Sequence, residues 1–117
     1  MEILATFLVA VVAASHILFL ILEMFLWDRP LGRRTFGLSA DDAATTKVLA
    51  ANQGLYNGFL AAGLIWGLLR DNVEVQIFFL ACVVMAGLFG GMTVSRRIVL
   101  VQAFPAAIAL VLVLLEV

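Results

Sequence analysis

Two side chains able to exchange protons lie seven residues apart in an otherwise apolar stretch of the chain. The stretch reads SHILFLILEMFLW and contains His16 and Glu23. In an α-helix of 3.6 residues per turn, these two residues share one face, about 10 Å apart along the axis. Because a glutamate and a histidine on one face can hold and relay a proton, we predict Glu23 and His16 as a catalytic acid–base pair.

A second polar group follows in the stretch NQGLYNGFLAAG, where four hydrogen-bonding side chains occur within six residues. A polar group left unpaired in hydrocarbon costs several kcal/mol, so these side chains should point inward, at each other, at water or at a ligand. Two more polar residues, further along the chain, could close the same pocket. The predicted ligand-binding residues are Trp27, Asn52, Gln53, Tyr56, Asn57, Thr93 and Gln102.

The elements that must position these residues follow from composition. The chain has 117 residues, 65% hydrophobic and 13% charged, whereas soluble domains are roughly half apolar and about a quarter charged. Runs of about 20 apolar residues can cross a bilayer as helices, and short connections between them favour an up-down antiparallel four-helix bundle. We predict one all-α membrane domain, 1–117, with spans at 3–27, 47–69, 73–94 and 98–116, the second helix starting as early as residue 40.

The basic residues predict the orientation of this bundle. Six of the seven lysines and arginines lie around the connections 28–46 and 95–97, and only Arg70 lies on the opposite side. Cytoplasmic loops carry an excess of lysine and arginine, so we expect these connections in the cytoplasm of a cell with the chain in its inner membrane. Both termini are then non-cytoplasmic, and the polar residues form a pocket open to the cytoplasm or the inner leaflet.

Several other classes of site are disfavoured. A single histidine with no thiolate near it makes a poor transition-metal site, so we predict no metal. We predict no cofactor either, and the net charge of −1 gives no reason to expect nucleic acid. The expected partners are the lipid bilayer and a small lipophilic or amphipathic ligand. The glycine and phenylalanine positions allow a homodimer without requiring one.

The two motifs together resemble the small bacterial membrane proteins grouped as domain of unknown function 1304. The resemblance covers essentially the whole chain, including its length and four spans. It implies an all-helical membrane fold but no activity. It also implies that the family's hallmark positions are His16, Glu23, Trp27, Asn52, Gln53, Tyr56, Asn57 and Gly58 in this sequence.

Three functions remain open at this point. The first is a cofactor-independent isomerase, cyclase or hydratase that acts on a lipophilic substrate through Glu23 and His16. The second is a proton-coupled carrier, since size and a glutamate in helix one are similar to the small multidrug resistance transporters. Those transporters form dimers of oppositely inserted copies, and the strong charge bias of this chain argues against such a dimer. The third is a structural subunit in which the amides only tie helices together.

Overall fold

The computed structural model describes residues 2–117, and within them every regular element is a helix, with no strand. The predicted all-helical class is therefore confirmed for this part of the chain. A π-helical turn, Val99–Ala103, directly precedes the last α-helix. The α-helices are α1 Glu2–Met24, α2 Pro30–Phe36, α3 Ala40–Leu69, α4 Val73–Thr93 and α5 Phe104–Leu114.

Local signals explain where the long helix α3 starts. The Ser39 hydroxyl accepts a hydrogen bond from the Asp42 backbone N–H at 3.1 Å, which satisfies one of the free donors of the first turn. Asp41 and Asp42 place negative charge at the positive end of the helix. The helix therefore begins at Ala40 and extends for 30 residues.

The connection between α1 and α3 contains a short helix that the sequence did not predict. Helix α2 has proline at its start and ends at Gly37, whose φ of 65° is left-handed and whose N–H bonds the Arg33 carbonyl. Glycine adopts that conformation without steric cost. Gly32 is buried so closely against the Leu26 carbonyl that no side chain fits there. The contact with the turn after α1 thus holds the seven-residue helix in place.

The described chain divides into two compact units, one of residues 15–59 and one of the residues up to Ala14 together with 60–117. The second unit has an apolar core of small and branched side chains. At Gly87, an added Cβ would lie 2.6 Å from the Ala103 backbone nitrogen. The backbones of α4 and of the π-helical turn are therefore in direct contact there. The most buried larger side chains are Val9, Leu64, Leu80, Val83 and Val113.

A proline interrupts the last helical run, and the structure accommodates it with a π-helical turn. Pro105 lacks an N–H and its ring clashes with the preceding turn of an α-helix. Immediately before it, the Phe104 N–H bonds the Val99 carbonyl, five residues back, instead of four. The extra residue in the turn lets the helical run continue to Leu114.

Two of the described helices, α1 and α4, are long and apolar enough to cross a membrane by length and composition. The run Val99–Leu114 is also apolar but shorter. Within residues 2–117 these features define a helical protein with two candidate membrane helices. The four-span bundle and its orientation remain predictions.

Candidate functional site

The Glu23 side chain lies at the centre of a buried hydrogen-bonded cluster. It is 3% exposed, and each carboxylate oxygen accepts one bond from an amide of α3. The Gln53 Nε2 donates to Oε2 at 2.5 Å, and the Asn57 Nδ2 donates to Oε1 at 2.5 Å. The carboxylate is thus held between two side-chain amides, with both of its oxygens paired.

Glycines on α3 explain why the amides reach the carboxylate. Gly54 is buried against α1, and a Cβ added there would lie 2.7 Å from the Met24 Cγ and 3.1 Å from the Glu23 Cβ. Gly58, one turn further, would meet the Leu20 Cδ1 at 2.6 Å. Because neither glycine carries a side chain, α1 and α3 approach closely, and the adjacent positions 53 and 57 face Glu23.

The four polar residues in the middle of α3 divide into two pairs by their partners. Gln53 and Asn57, one turn apart, both bond Glu23, and Asn57 is buried at 9% exposure. Asn52 and Tyr56, the other pair, are exposed. The Tyr56 ring packs edge-on against the Phe59 ring, with the centroids 5.5 Å apart. Gln53 is itself exposed, although its bond to Glu23 is partly buried. It is therefore the member of the cluster through which the carboxylate can be reached from outside.

His16 is buried on the same helix as Glu23. It is 1% exposed, among the most buried of the large side chains. Its ring meets Phe19 in an edge-to-face arrangement, with the centroids 5.2 Å apart. Burial of both His16 and Glu23 fits residues seven apart on one face of α1.

Trp27 lies in the turn after α1 and connects three elements. Its indole N–H donates to the Thr46 hydroxyl on α3 at 3.0 Å, and that hydroxyl donates in turn to the Asp42 carbonyl at 2.7 Å. The indole ring packs on Phe36 of α2, with the centroids 4.8 Å apart. Trp27 thereby fixes the end of α1, one turn beyond Glu23, against α2 and α3.

An ion pair lies beside Trp27. The Lys47 Nζ is 3.0 Å from the Asp28 Oδ2, and both side chains are exposed over a third or more of their surface. The hydrogen bond from Lys47 lowers the pKa of the Asp28 carboxyl below its usual value. Exposed pairs of this kind contribute little to stability, so this one helps to orient the turn more than it stabilises the fold.

The last two predicted ligand-binding residues belong to the other compact unit. Thr93 is exposed at the end of α4, and its hydroxyl donates to the Phe89 carbonyl of the same helix at 2.7 Å. Gln102 is half-buried and lies in the π-helical turn. The hydrogen bonds of the cluster join Glu23, Gln53 and Asn57. The role of every predicted site residue in binding or catalysis stays a prediction.

Sequence reasoning missed two polar residues that the structure uses. Gln76 on α4 is 7% exposed, and its Nε2 donates to the Gly67 carbonyl at 3.2 Å. Thr46 holds Trp27. A lone glutamine inside the apolar run of α4 is the signal that could have found the first, and no pattern distinguishes Thr46 from Thr45.

The arrangement suits recognition of a donor or a cation. A buried carboxylate between two amides is an acceptor site, and no three His, Cys, Asp or Glu side chains of residues 2–117 come together as metal ligands. An amide can also rotate to present its oxygen instead of its nitrogen. Gln53 and Asn57 can therefore pair with Glu23 in either protonation state.

Comparison with known proteins identifies the family. This all-helical chain belongs to the family described as "Protein of unknown function (DUF1304)", whose match covers residues 10–114 and so contains the whole cluster. It is also similar to "Uncharacterized protein YpaA" of Lactococcus lactis subsp. lactis (strain IL1403). The two are 29% identical over 115 residues, which cover 95% of this chain and 97% of the relative. No solved structure matches the chain.

Proposed function

We propose that the chain is a multi-pass protein of the inner membrane that binds a small amphipathic cation at Glu23. The membrane location is supported by the exposed apolar surface of α1 and α4. Only 28% of the most apolar part of α1 and 22% of that of α4 is buried within the chain. A core helix of a soluble protein buries most of its apolar surface. A lipid bilayer is the environment that would stabilise so much exposed apolar surface on α1 and α4.

The remaining crossings in this proposal are α3 and the run Val99–Leu114, which gives four antiparallel spans. The arginine-rich connections then face the cytoplasm and both termini lie on the other side. Glu23 lies at the end of α1 that approaches the cytoplasmic connection, which places its cluster toward the inner leaflet. A ligand would enter from the cytoplasm or from that leaflet.

The observation that carries the binding proposal is the Glu23 carboxylate, 3% exposed and held by the amides of Gln53 and Asn57. An ionisable group within a span is rare and marks a functional site by default. Among the buried side chains of residues 2–117, Glu23 is also the one acidic group. A cationic head group that displaces Gln53 from Oε2 would neutralise it without disturbing Asn57.

Proton exchange completes the proposal. When the ligand leaves, Glu23 takes up a proton, and rotation of an amide supplies the acceptor that the new O–H requires. His16, buried on the same face of α1, serves as the second proton carrier. Trp27 and Tyr56 offer aromatic faces that attract cations. The same acid–base pair, Glu23 and His16, could instead catalyse an isomerisation of the bound molecule. A carrier would differ from such an enzyme in having a second opening to the site.

A structural role for the cluster is the second candidate, and one observation favours it. Both Glu23 oxygens already have partners, and no buried side-chain nitrogen or oxygen of residues 2–117 lacks one. A cluster that is complete within the protein can act as an interhelical tie alone. The two candidates differ in what removal of the charge does to binding.

The deciding experiment measures retention of dodecyltrimethylammonium by the protein in lipid nanodiscs, with dodecanol as the uncharged counterpart. The proposal predicts that Glu23→Gln lowers retention of the cation by at least about tenfold, because a charge-assisted contact is lost, and leaves dodecanol unchanged. Glu74→Gln removes the same charge from an exposed position and should behave as wild type. Equal retention by both variants would assign Glu23 to the structural role.

A further inference from the structure

A pocket separate from the Glu23 cluster lies on the short helix α2. It is shallow and open, with a volume of about 340 Å³, and its lining is Pro30, Arg33, Arg34, Gly37 and Leu38. Gly37 closes the C-terminal end of α2 in a left-handed conformation, which folds Leu38 back toward Arg33. Two adjacent arginines in the last turn of a helix thus form one side of a small concave surface.

One of the two arginines is held in place by the backbone. Arg33 is half-buried, and its Nε donates to the Leu38 carbonyl at 3.4 Å. That bond uses neither terminal nitrogen of the guanidinium. The planar group therefore presents its terminal N–H donors from a fixed base, which reduces the entropy lost when a ligand binds.

The positive charge of this pocket is not neutralised within the described chain. Lys47 pairs with Asp28, but neither arginine forms an ion pair with any acidic side chain of residues 2–117. Asp41 and Asp42, the nearest acidic residues along the chain after α2, lie in the first turn of α3 and cap that helix electrostatically. Arg33 and Arg34 are thus available for an anion from outside.

We propose that this pocket binds a phosphate group, either of an anionic lipid head group or of a free phosphate compound. Guanidinium groups match the oxygens of phosphate with paired N–H donors, and two of them side by side supply the charge. Leu31 and Phe36 are exposed on the same helix, at 51% and 39%. Basic and apolar side chains on one short helix are typical of a segment that lies on an anionic membrane surface.

The test is native mass spectrometry of the full-length protein, in nanodiscs and in detergent, with phosphatidylglycerol as the probe and diacylglycerol as the phosphate-free lipid. Replacing Arg33 and Arg34 together by glutamine should lower retention of phosphatidylglycerol at least about tenfold and leave diacylglycerol unchanged. The matched control is the double replacement of Arg96 and Arg97 by glutamine, which removes the same charge from another connection.

A second double variant, with Arg33 and Arg34 both replaced by lysine, keeps the charge but loses the planar donors, and should fall between wild type and the glutamine variant. In detergent, displacement of phosphatidylglycerol by inorganic phosphate would assign the site to the phosphate group itself. Retention at saturating phosphate would assign it to the whole lipid. Equal losses in the 33/34 and 96/97 glutamine variants, or no loss in either, would overturn the proposal.

Discussion

Glu23 and Gln76 each make a buried polar contact between two helices, and the two contacts are built in similar ways. Glu23 crosses from α1 to α3 beside Gly54, and Gln76 reaches the end of α3 from α4 beside Gly67. Their exposures are similarly low, 3% and 7%. In both places a glycine lets two helices approach and a long polar side chain spans the gap.

The partners of the two side chains differ, and so do the roles that they indicate. Gln76 donates to the Gly67 carbonyl near the end of α3, and the same carbonyl also accepts the Asn72 backbone N–H at 2.8 Å. The Gln76 bond adds a second donor to a backbone carbonyl between α3 and α4, and it needs no charge. Glu23 bonds to the side-chain amides of Gln53 and Asn57, which lie in the middle of α3, and to no backbone group. An ionisable group that satisfies no backbone need is the better candidate for function.

The largest expected effect comes from breaking the Glu23 cluster. Asn57→Leu leaves the buried Glu23 Oε1 without a donor and should lower the free energy of unfolding by about 3 kcal/mol. The double variant Asn57→Leu with Glu23→Leu replaces both partners by apolar groups and should recover at least about half of that loss. Denaturant titration in mixed micelles measures both. Losses that simply add would show that the two residues are independent.

Gln76→Met provides the contrasting, smaller effect. The variant removes one neutral bond to the Gly67 carbonyl and keeps the side-chain length, so the free energy of unfolding should fall by about 1 kcal/mol. Retention of dodecyltrimethylammonium should not change, because the contact is structural. A loss of binding in this variant would remove the distinction between the two contacts.

The smallest effect concerns the exposed pair at the turn after α1. Because Lys47 lowers the pKa of Asp28 in the folded state, the pair stabilises the fold at pH values above the unfolded pKa of about 3.8, and this contribution fades as the pH falls through the folded pKa. Asp28→Asn should lose that part of the acid dependence, and added salt should weaken it in the wild type.

Stability measured between about pH 6 and pH 3 checks this expectation. Glu116→Gln is the control, since Glu116 forms no ion pair within residues 2–117 and should leave the acid dependence as in the wild type. An Asp28→Asn curve that follows the wild-type curve throughout would show that the pair does not contribute.

The helices and part of the cluster could be predicted from sequence, because apolar runs and the i, i+4 spacing of Gln53 and Asn57 are local signals. Sequence alone could not predict which of the polar side chains of α3 point inward, toward Glu23. Asn52 and Gln53 are neighbours about 100° apart around the helix, and only the close packing at Gly54 and Gly58 decides which one faces Glu23.

Helix α2 was not predicted for a related reason. Seven residues containing two basic side chains carry no periodic signal, and a helix this short is not stable alone. It depends on the contact between Gly32 and the Leu26 carbonyl, six residues earlier in the chain. The α1–α2 turn, the Trp27 contact and the arginine pocket all follow from that packing.

The most direct measurement is chemical labelling of the Glu23 carboxyl. Dicyclohexylcarbodiimide is apolar and modifies carboxylic acids that lie in hydrocarbon, and peptide mass mapping of the protein in nanodiscs locates each adduct. Our account predicts an adduct on Glu23 that dodecyltrimethylammonium suppresses and dodecanol does not. An unmodified Glu23, or an adduct that forms equally with and without the cation, would contradict it.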